Sequence, residues 1–402
     1  MVFLNSLLIR GIVVISSASF LVGMILLNKW KQLMVFAGLF LFTFCFWYKT
    51  WITQLDTIAY VFYCFASLLF VFGGIALYSS NNESMLKRLF IFITIIYFVT
   101  SITTIAGLNV YPLAAREFAR GSTYDTSLDF NLRKNIYRRM NIASWSQIYG
   151  MLFAIPTSLF VWKKKKKFFS LALCVSLCLM VAFSQITFAV LMAALLIAGI
   201  LIFRETRVKT LVSSLVVLVI LCIILLNLKA ILGFVITFSD AVGLDFLSTK
   251  LCDMQTLLLY RHAVGDAGAR GELYSKSLDT FLKSPIIGLL YGDKGNLYTI
   301  GYHSDFFDML ATFGAVGLVI IISSVFGYFR FLKQINSGFR RDMIIIFLCF
   351  ILLFILNPVI NSPQIFAGVF LYPVLGIRYC LMNGTRNRNR VFKLTTNRNS
   401  IK

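Results

Sequence analysis

Long apolar runs alternate with short basic segments along the 402 residues. A helix needs about 20 apolar residues to cross the hydrocarbon of a bilayer. Runs of that kind lie at 9–27, 32–48, 57–78, 89–108, 146–162, 168–183, 185–203, 211–231, 307–329, 343–358 and 364–381. The pattern predicts an all-α, polytopic transmembrane helix bundle of about eleven spans, with ten or twelve as alternatives. The range arises because 32–48 is short and 168–203 is unbroken. We divide the latter at Ser184-Gln185, since a single helix of that length would overrun the bilayer. The first run contains Arg10 and has no small-residue cleavage site before Asn28, so it reads as a retained helix.

Charge sets the direction of the spans. Lys163–Lys167 is an unbroken lysine run, and Arg204, Arg207 and Lys209 follow the next hairpin. Arg330, Lys333, Arg340 and Arg341 come later, and the tail from Arg386 to Lys402 is basic. All of these segments, with Lys29, Lys31, Lys87 and Arg88, fall in the cytoplasm together, and the N-terminus then lies outside. The expected organisation is a single integral membrane domain over 1–382 and a basic cytoplasmic tail over 383–402. Two long segments, 109–145 and 232–306, remain on the extracytoplasmic side, the second before the third-last helix. The first carries Arg116, Arg120, Arg133, Lys134, Arg138 and Arg139 against Glu117, Asp125 and Asp129. Arginines on the translocated side run against the usual bias and ask for a ligand.

Composition agrees with the pattern. Hydrophobic residues make up 59% and charged residues 13%, against about half and a quarter in soluble domains. The formal charge of +22 sits between apolar runs or in the tail, where it orients helices, so nucleic acid is not an expected partner. Seven of the eight cysteines fall within apolar runs and only Cys252 lies in a loop, which gives neither a disulfide framework nor a zinc site. No phosphate-binding loop, HExxH pattern or nucleophile elbow is present. No metal or cofactor is expected, and the energy for any reaction then arrives within the substrate.

The candidate chemistry gathers between Arg261 and Gly317, which hold both histidines, His262 and His303. Arg270 precedes LYSKSLDTFLKSPIIGLLYG, an amphipathic helix broken at Ser284-Pro285 and followed by a glycine-marked turn. Leu273, Ser277, Leu278, Phe281 and Leu282 are expected on one face, against the membrane surface. Arg270 has two readings: its guanidinium grips phosphate oxygens bidentately, or it snorkels to lipid head groups. His303 stands just before a helix with Ser304 as its N-cap. It is either a general base near neutral pH or an interfacial histidine hydrogen-bonded to backbone. His262 beside Arg261 is a weaker rival. Asp305 and Asp308 suit the first turn of that helix, structural first, with a tuning role open to Asp305. Gly314 and Gly317 permit close helix contact.

Arg270, SPIIGLLYG and HSDFFDMLATFGAVGL together resemble the O-antigen polymerase and O-antigen ligase superfamily of bacterial envelope polysaccharide assembly. The likeness covers roughly residues 168–330, and the first half of the chain matches in hydropathy alone. It implies a helical membrane bundle of the lipid-sugar glycosyltransferase type in the bacterial inner membrane, with an extracytoplasmic active site. The implied donor is an undecaprenyl-diphosphate-linked oligosaccharide, used without a metal. Membrane lipid and flippase and chain-length regulator proteins are the other implied partners. By the same resemblance Arg270 engages the donor diphosphate and His303 activates the acceptor hydroxyl. Gln185 stands where many relatives carry a second arginine, and Ser304 replaces the usual asparagine. Arg138 or Arg139 is then a candidate for the missing cation, and Arg261 and Asp305 complete the substrate-binding candidates. The leading expectation is a polymerase of lipid-linked repeat units. The alternatives are a ligase moving finished glycan to another acceptor, a lipid-linked oligosaccharide flippase, and a non-catalytic membrane scaffold.

Overall fold

A computed structural model describes residues 57–202 and 228–382, apart from gaps at 81, 118–127, 244–247, 250, 254, 257–264, 292–299 and 361. The expected spans 9–27 and 32–48, most of 211–231, Arg261, His262 and the basic tail lie outside the described residues. The described residues are helical, with no strand among them. The helices are α1 Thr57–Tyr78, α2 Glu83–Val110, α3 Leu128–Arg139, α4 Trp145–Leu152, α5 Ala154–Lys165 and α6 Phe168–Phe183. They continue as α7 Thr187–Ile202, α8 Leu228–Ala241, α9 Gly265–Lys283, α10 Asp305–Gln334, α11 Ser337–Leu356 and α12 Pro363–Met382. Among the described residues α2, α10 and α12 are long and apolar enough to cross a membrane by length and composition. The chain is a multi-pass helical membrane protein.

Residues 168–203 do divide at Ser184-Gln185. α6 ends at Phe183 with Ser184 as its C-cap, Gln185 takes a left-handed φ of 53°, and α7 starts at Thr187. The run 146–162 differs from the expected single helix, because α4 stops at Leu152 and α5 begins at Ala154. Pro156 has no N–H to give the Leu152 carbonyl, and its ring crowds that carbonyl, so the ladder breaks there. α12 contains one wide turn at Ala367–Leu371, ahead of Pro373, where the missing N–H already interrupts the ladder.

The contacts form two compact units. In one, α2 and α5 pack on α6, and α4 meets the wide turn of α12. Thr94 and Tyr372 share a hydrogen bond at 3.1 Å, and the Ser101 hydroxyl donates to Ser176 at 2.8 Å. Such pairs hold helices together where lipid removes the hydrophobic drive for association. Gly368 lies so close to the Gly150 carbonyl that a Cβ would fall 1.9 Å from its oxygen.

In the other unit α10 packs against both α9 and α11, and α11 also meets α7. Its core holds Met309, Phe313, Ile320 and Ile360, all buried. α10 is interrupted at Gly314, with φ 57° and ψ −144°. The Ser-Pro turn after α9 fills that interruption: the N–H of Ala315 donates to the Pro285 carbonyl at 2.7 Å. Gly288, also at positive φ, lies against the Thr312 carbonyl, which a Cβ would approach to 2.5 Å. The two glycine-marked motifs read from the sequence are therefore two halves of one backbone joint.

Candidate functional site

α9 ends where Ser284-Pro285 stops it, as the sequence predicts, and it presents Arg270, Tyr274 and Ser277 at helical spacing. Each of the three fastens to a different neighbour. Arg270 donates from Nη1 to Asn357 Oδ1 at 3.3 Å. The Tyr274 hydroxyl donates to the Leu356 carbonyl at 2.8 Å, and its ring stacks on Phe307 at 5.5 Å. Ser277 donates to Asp308 Oδ1 at 2.7 Å. Burial pushes the Tyr274 phenol up, while the Arg270 guanidinium beside it pulls the other way.

The apolar face predicted for this helix is divided. Ser277 is fully buried, whereas Leu278, Leu282 and the following Ile286 are 40%, 64% and 71% exposed. Ser277 was placed with leucines by spacing alone. Its hydroxyl instead has two partners inside, since it also accepts from Gly301 N at 2.9 Å. The exposed Leu278, Leu282 and Ile286 keep an apolar stripe of the kind that faces a membrane surface.

His303 reaches the site through a fixed turn. Tyr302 holds a left-handed φ of 56°, and its N–H donates to Asp308 Oδ1 at 3.2 Å. Gly301 lies against the backbone of α9, where a Cβ would sit 2.1 Å from the Leu273 carbonyl oxygen. His303 Nδ1 is 3.0 Å from the Gly301 carbonyl. A carbonyl only accepts, so Nδ1 carries the hydrogen, and in the neutral ring the lone pair then sits on Nε2. The two readings of His303 thus combine: the backbone contact selects the tautomer that a base requires.

Ser304 is the N-cap, accepting from Phe307 N at 3.1 Å and donating to the Ile355 carbonyl at 2.5 Å. Asp305 is buried, and its Oδ2 accepts the N–H groups of Val359 and Ile360 at 2.5 and 2.8 Å. The Asp305 N–H faces the Asn357 carbonyl at 3.5 Å. Arg270 from α9 and the His303 segment before α10 therefore meet at the end of α11, around Asn357.

The other candidates stand elsewhere. Gln185 is buried in the same unit, and among the described residues its Oε1 has no hydrogen-bond partner. Arg138 and Arg139 form the exposed last turn of α3, in the other unit. Among the described residues no three His, Cys, Asp or Glu side chains gather as a metal site. Asn357 is the residue that sequence reasoning missed. Its signal is slight, an asparagine before Pro358 at a span end, which turn chemistry alone explains.

The fold thus brings the Arg270 guanidinium and the turn that carries the His303 imidazole to the end of α11. Residues 169–322 match the family described as O-antigen ligase, which places that stretch in the O-antigen polymerase and ligase superfamily. Members of that family are glycosyltransferase-like enzymes. The match takes in Gln185, Arg261, Arg270, His303 and Asp305, and ends before Asn357. No curated protein matches the chain.

Proposed function

We propose that the protein is a polysaccharide polymerase of the extracytoplasmic membrane face. It transfers a glycan from an undecaprenyl-diphosphate donor to a hydroxyl of another lipid-linked repeat unit. The acceptor hydroxyl gives its proton to His303 Nε2 as its oxygen bonds to the anomeric carbon. The bond from that carbon to the diphosphate oxygen breaks, and the electron pair leaves with the diphosphate. In-line displacement inverts the anomeric centre. Arg270 meets the charge growing on the leaving group, a preorganised electrostatic role that needs no covalent intermediate and no metal.

The observation that carries this reading is the meeting of Arg270 and the His303 turn at Asn357, with Nδ1 of the imidazole committed to Gly301. A charge-assisted hydrogen bond contributes roughly 1.5–3 kcal/mol, so loss of Arg270 costs about 10-fold to 10²-fold. Purified protein in lipid discs, given a lipid-linked repeat unit, should build a ladder of lengthened glycans. His303→Ala should remove it, and Arg270→Ala should slow it by that factor. A ladder untouched by both changes would refute the assignment.

The likeness to the O-antigen ligase family supports a second reading, a ligase that moves glycan to a different acceptor. A single product of fixed length on an added acceptor, with no ladder, would select it. Movement of the lipid-linked glycan between leaflets without bond formation would select a flippase.

A further inference from the structure

Asn357 uses only one end of its amide on Arg270. Its side chain is 3% exposed, and Oδ1 is taken by the guanidinium at 3.3 Å. The amide nitrogen Nδ2 is buried and has no hydrogen-bond partner among the described residues. Turning the amide over would set two donors against each other, so Arg270 itself fixes which atom is which. A buried N–H donor left unpaired costs about 1–3 kcal/mol. Such a donor calls for an acceptor from outside the fold, a water or an oxygen of a ligand.

The backbone holds the amide in place on both sides. Pro358 drives Asn357 into extended geometry, at φ −148° and ψ 157°. Its N–H donates back to the Leu353 carbonyl at 2.8 Å, and Asp305 clamps the two residues after Pro358. Oδ1 and Nδ2 share one rigid plane, so the free N–H bonds lie beside the guanidinium. Donors side by side, one of them cationic, match the oxygens of a phosphate group.

We propose that Asn357 is a substrate-binding residue whose Nδ2 donates to a phosphate oxygen of the donor diphosphate while Arg270 binds the same group. This deepens the proposed function and rests on its donor. A phosphatidylglycerol head group offers the same oxygens, and the test separates the two sources.

The probes are undecaprenyl diphosphate and phosphatidylglycerol, each titrated into full-length protein in neutral-lipid discs. Four proteins are compared: the parent, Asn357→Ala, Arg270→Ala and the double variant. The double variant should bind undecaprenyl diphosphate about tenfold more weakly than Arg270→Ala, as expected for one lost hydrogen bond to a charged group. Equal binding by those two would overturn the proposal, because Asn357 would then act only by holding Arg270. Asn357→Asp keeps the shape and an acceptor for Arg270 but removes the donor. It should lose binding at least as severely, and unchanged affinity there would also overturn the proposal. Asn357 dependence seen for phosphatidylglycerol alone would reject the donor assignment. Because binding is read without turnover, a missing glycan ladder with intact Asn357-dependent binding sinks the polymerase reading and leaves this one standing. A ladder with Asn357-independent binding does the reverse.

Discussion

His303 donates its Nδ1 hydrogen to the carbonyl of Gly301, two residues earlier in the same turn, at 3.0 Å. The contact fixes ring orientation and tautomer together, and it relies on Gly301 being pressed against α9 and tied to Ser277. Base assistance of this kind contributes roughly 10²–10⁴ in rate. His303→Asn is the informative change, since its amide can still donate to Gly301 but offers no basic nitrogen. Elongation rates measured over a range of donor concentrations should show turnover falling by about 10²-fold or more, with the donor KM near the parent value. Full turnover in this variant would remove His303 from the mechanism.

The joint between Gly288 and Gly314 makes a stability prediction. Both have positive φ, and each faces backbone that a Cβ would approach to 2.5 Å. Gly243 is the control, because it has φ +74° but no atom of the described residues within 4 Å of its would-be Cβ. Gly243→Ala should therefore cost only the conformational penalty of about 1–2 kcal/mol. Gly288→Ala and Gly314→Ala should cost more, since the Ser-Pro turn must leave the break in α10. Melting in detergent should rank both well below Gly243→Ala. Three equal melting temperatures would show that the joint is dispensable.

How much of this was legible in the sequence depends on the kind of residue. Apolar period and charge placed α2, α6, α7, α10, α11 and α12 within a few residues, and Ser184-Gln185 marked a real break. Helix ends shifted where local chemistry overrode hydropathy: Asn82 caps α2 ahead of its apolar run, and Asn336 does so for α11. Pro156 was visible, yet hydropathy averages over it, so the break between α4 and α5 was not predicted. Ser277 was misplaced because helical spacing says which residues share a face, not that a serine on it binds Asp308. Asn357 was silent for a related reason. Its importance comes from an arginine 87 residues away, and no local pattern encodes that pairing.

Asp308 is linked to His303 through the turn that carries it. Its Oδ1 accepts both the Ser277 hydroxyl and the Tyr302 N–H. Asp308→Asn can still accept through its amide oxygen, but without the charge that strengthens both bonds, so turnover should fall about tenfold. Asp308→Ala leaves the buried Ser277 hydroxyl and the Tyr302 N–H short of an acceptor and should cost more. As a positioning residue it should lower kcat while the donor KM stays put. A rise in KM with constant kcat would place Asp308 in donor binding instead.

Asp305 separates two roles that the sequence left together, substrate contact and structural staple. Its Oδ2 is spent on the N–H groups of Val359 and Ile360, which hold the strand of backbone that carries Asn357. Asp305→Ala strands those two buried donors, and each costs about 1–3 kcal/mol, so the melting temperature should drop sharply. The donor KM should rise as well, because Asn357 and its hold on Arg270 loosen with the link. Asp305→Asn keeps an oxygen that can accept from both amides and should recover most of the stability and most of the donor affinity. A carboxylate that touched substrate would behave otherwise: Asp305→Asn would melt like the parent and still lose donor affinity as fully as Asp305→Ala. Melting curves and donor titrations on the two variants decide between these roles. The fall in donor affinity should track the fall in stability from Asn to Ala.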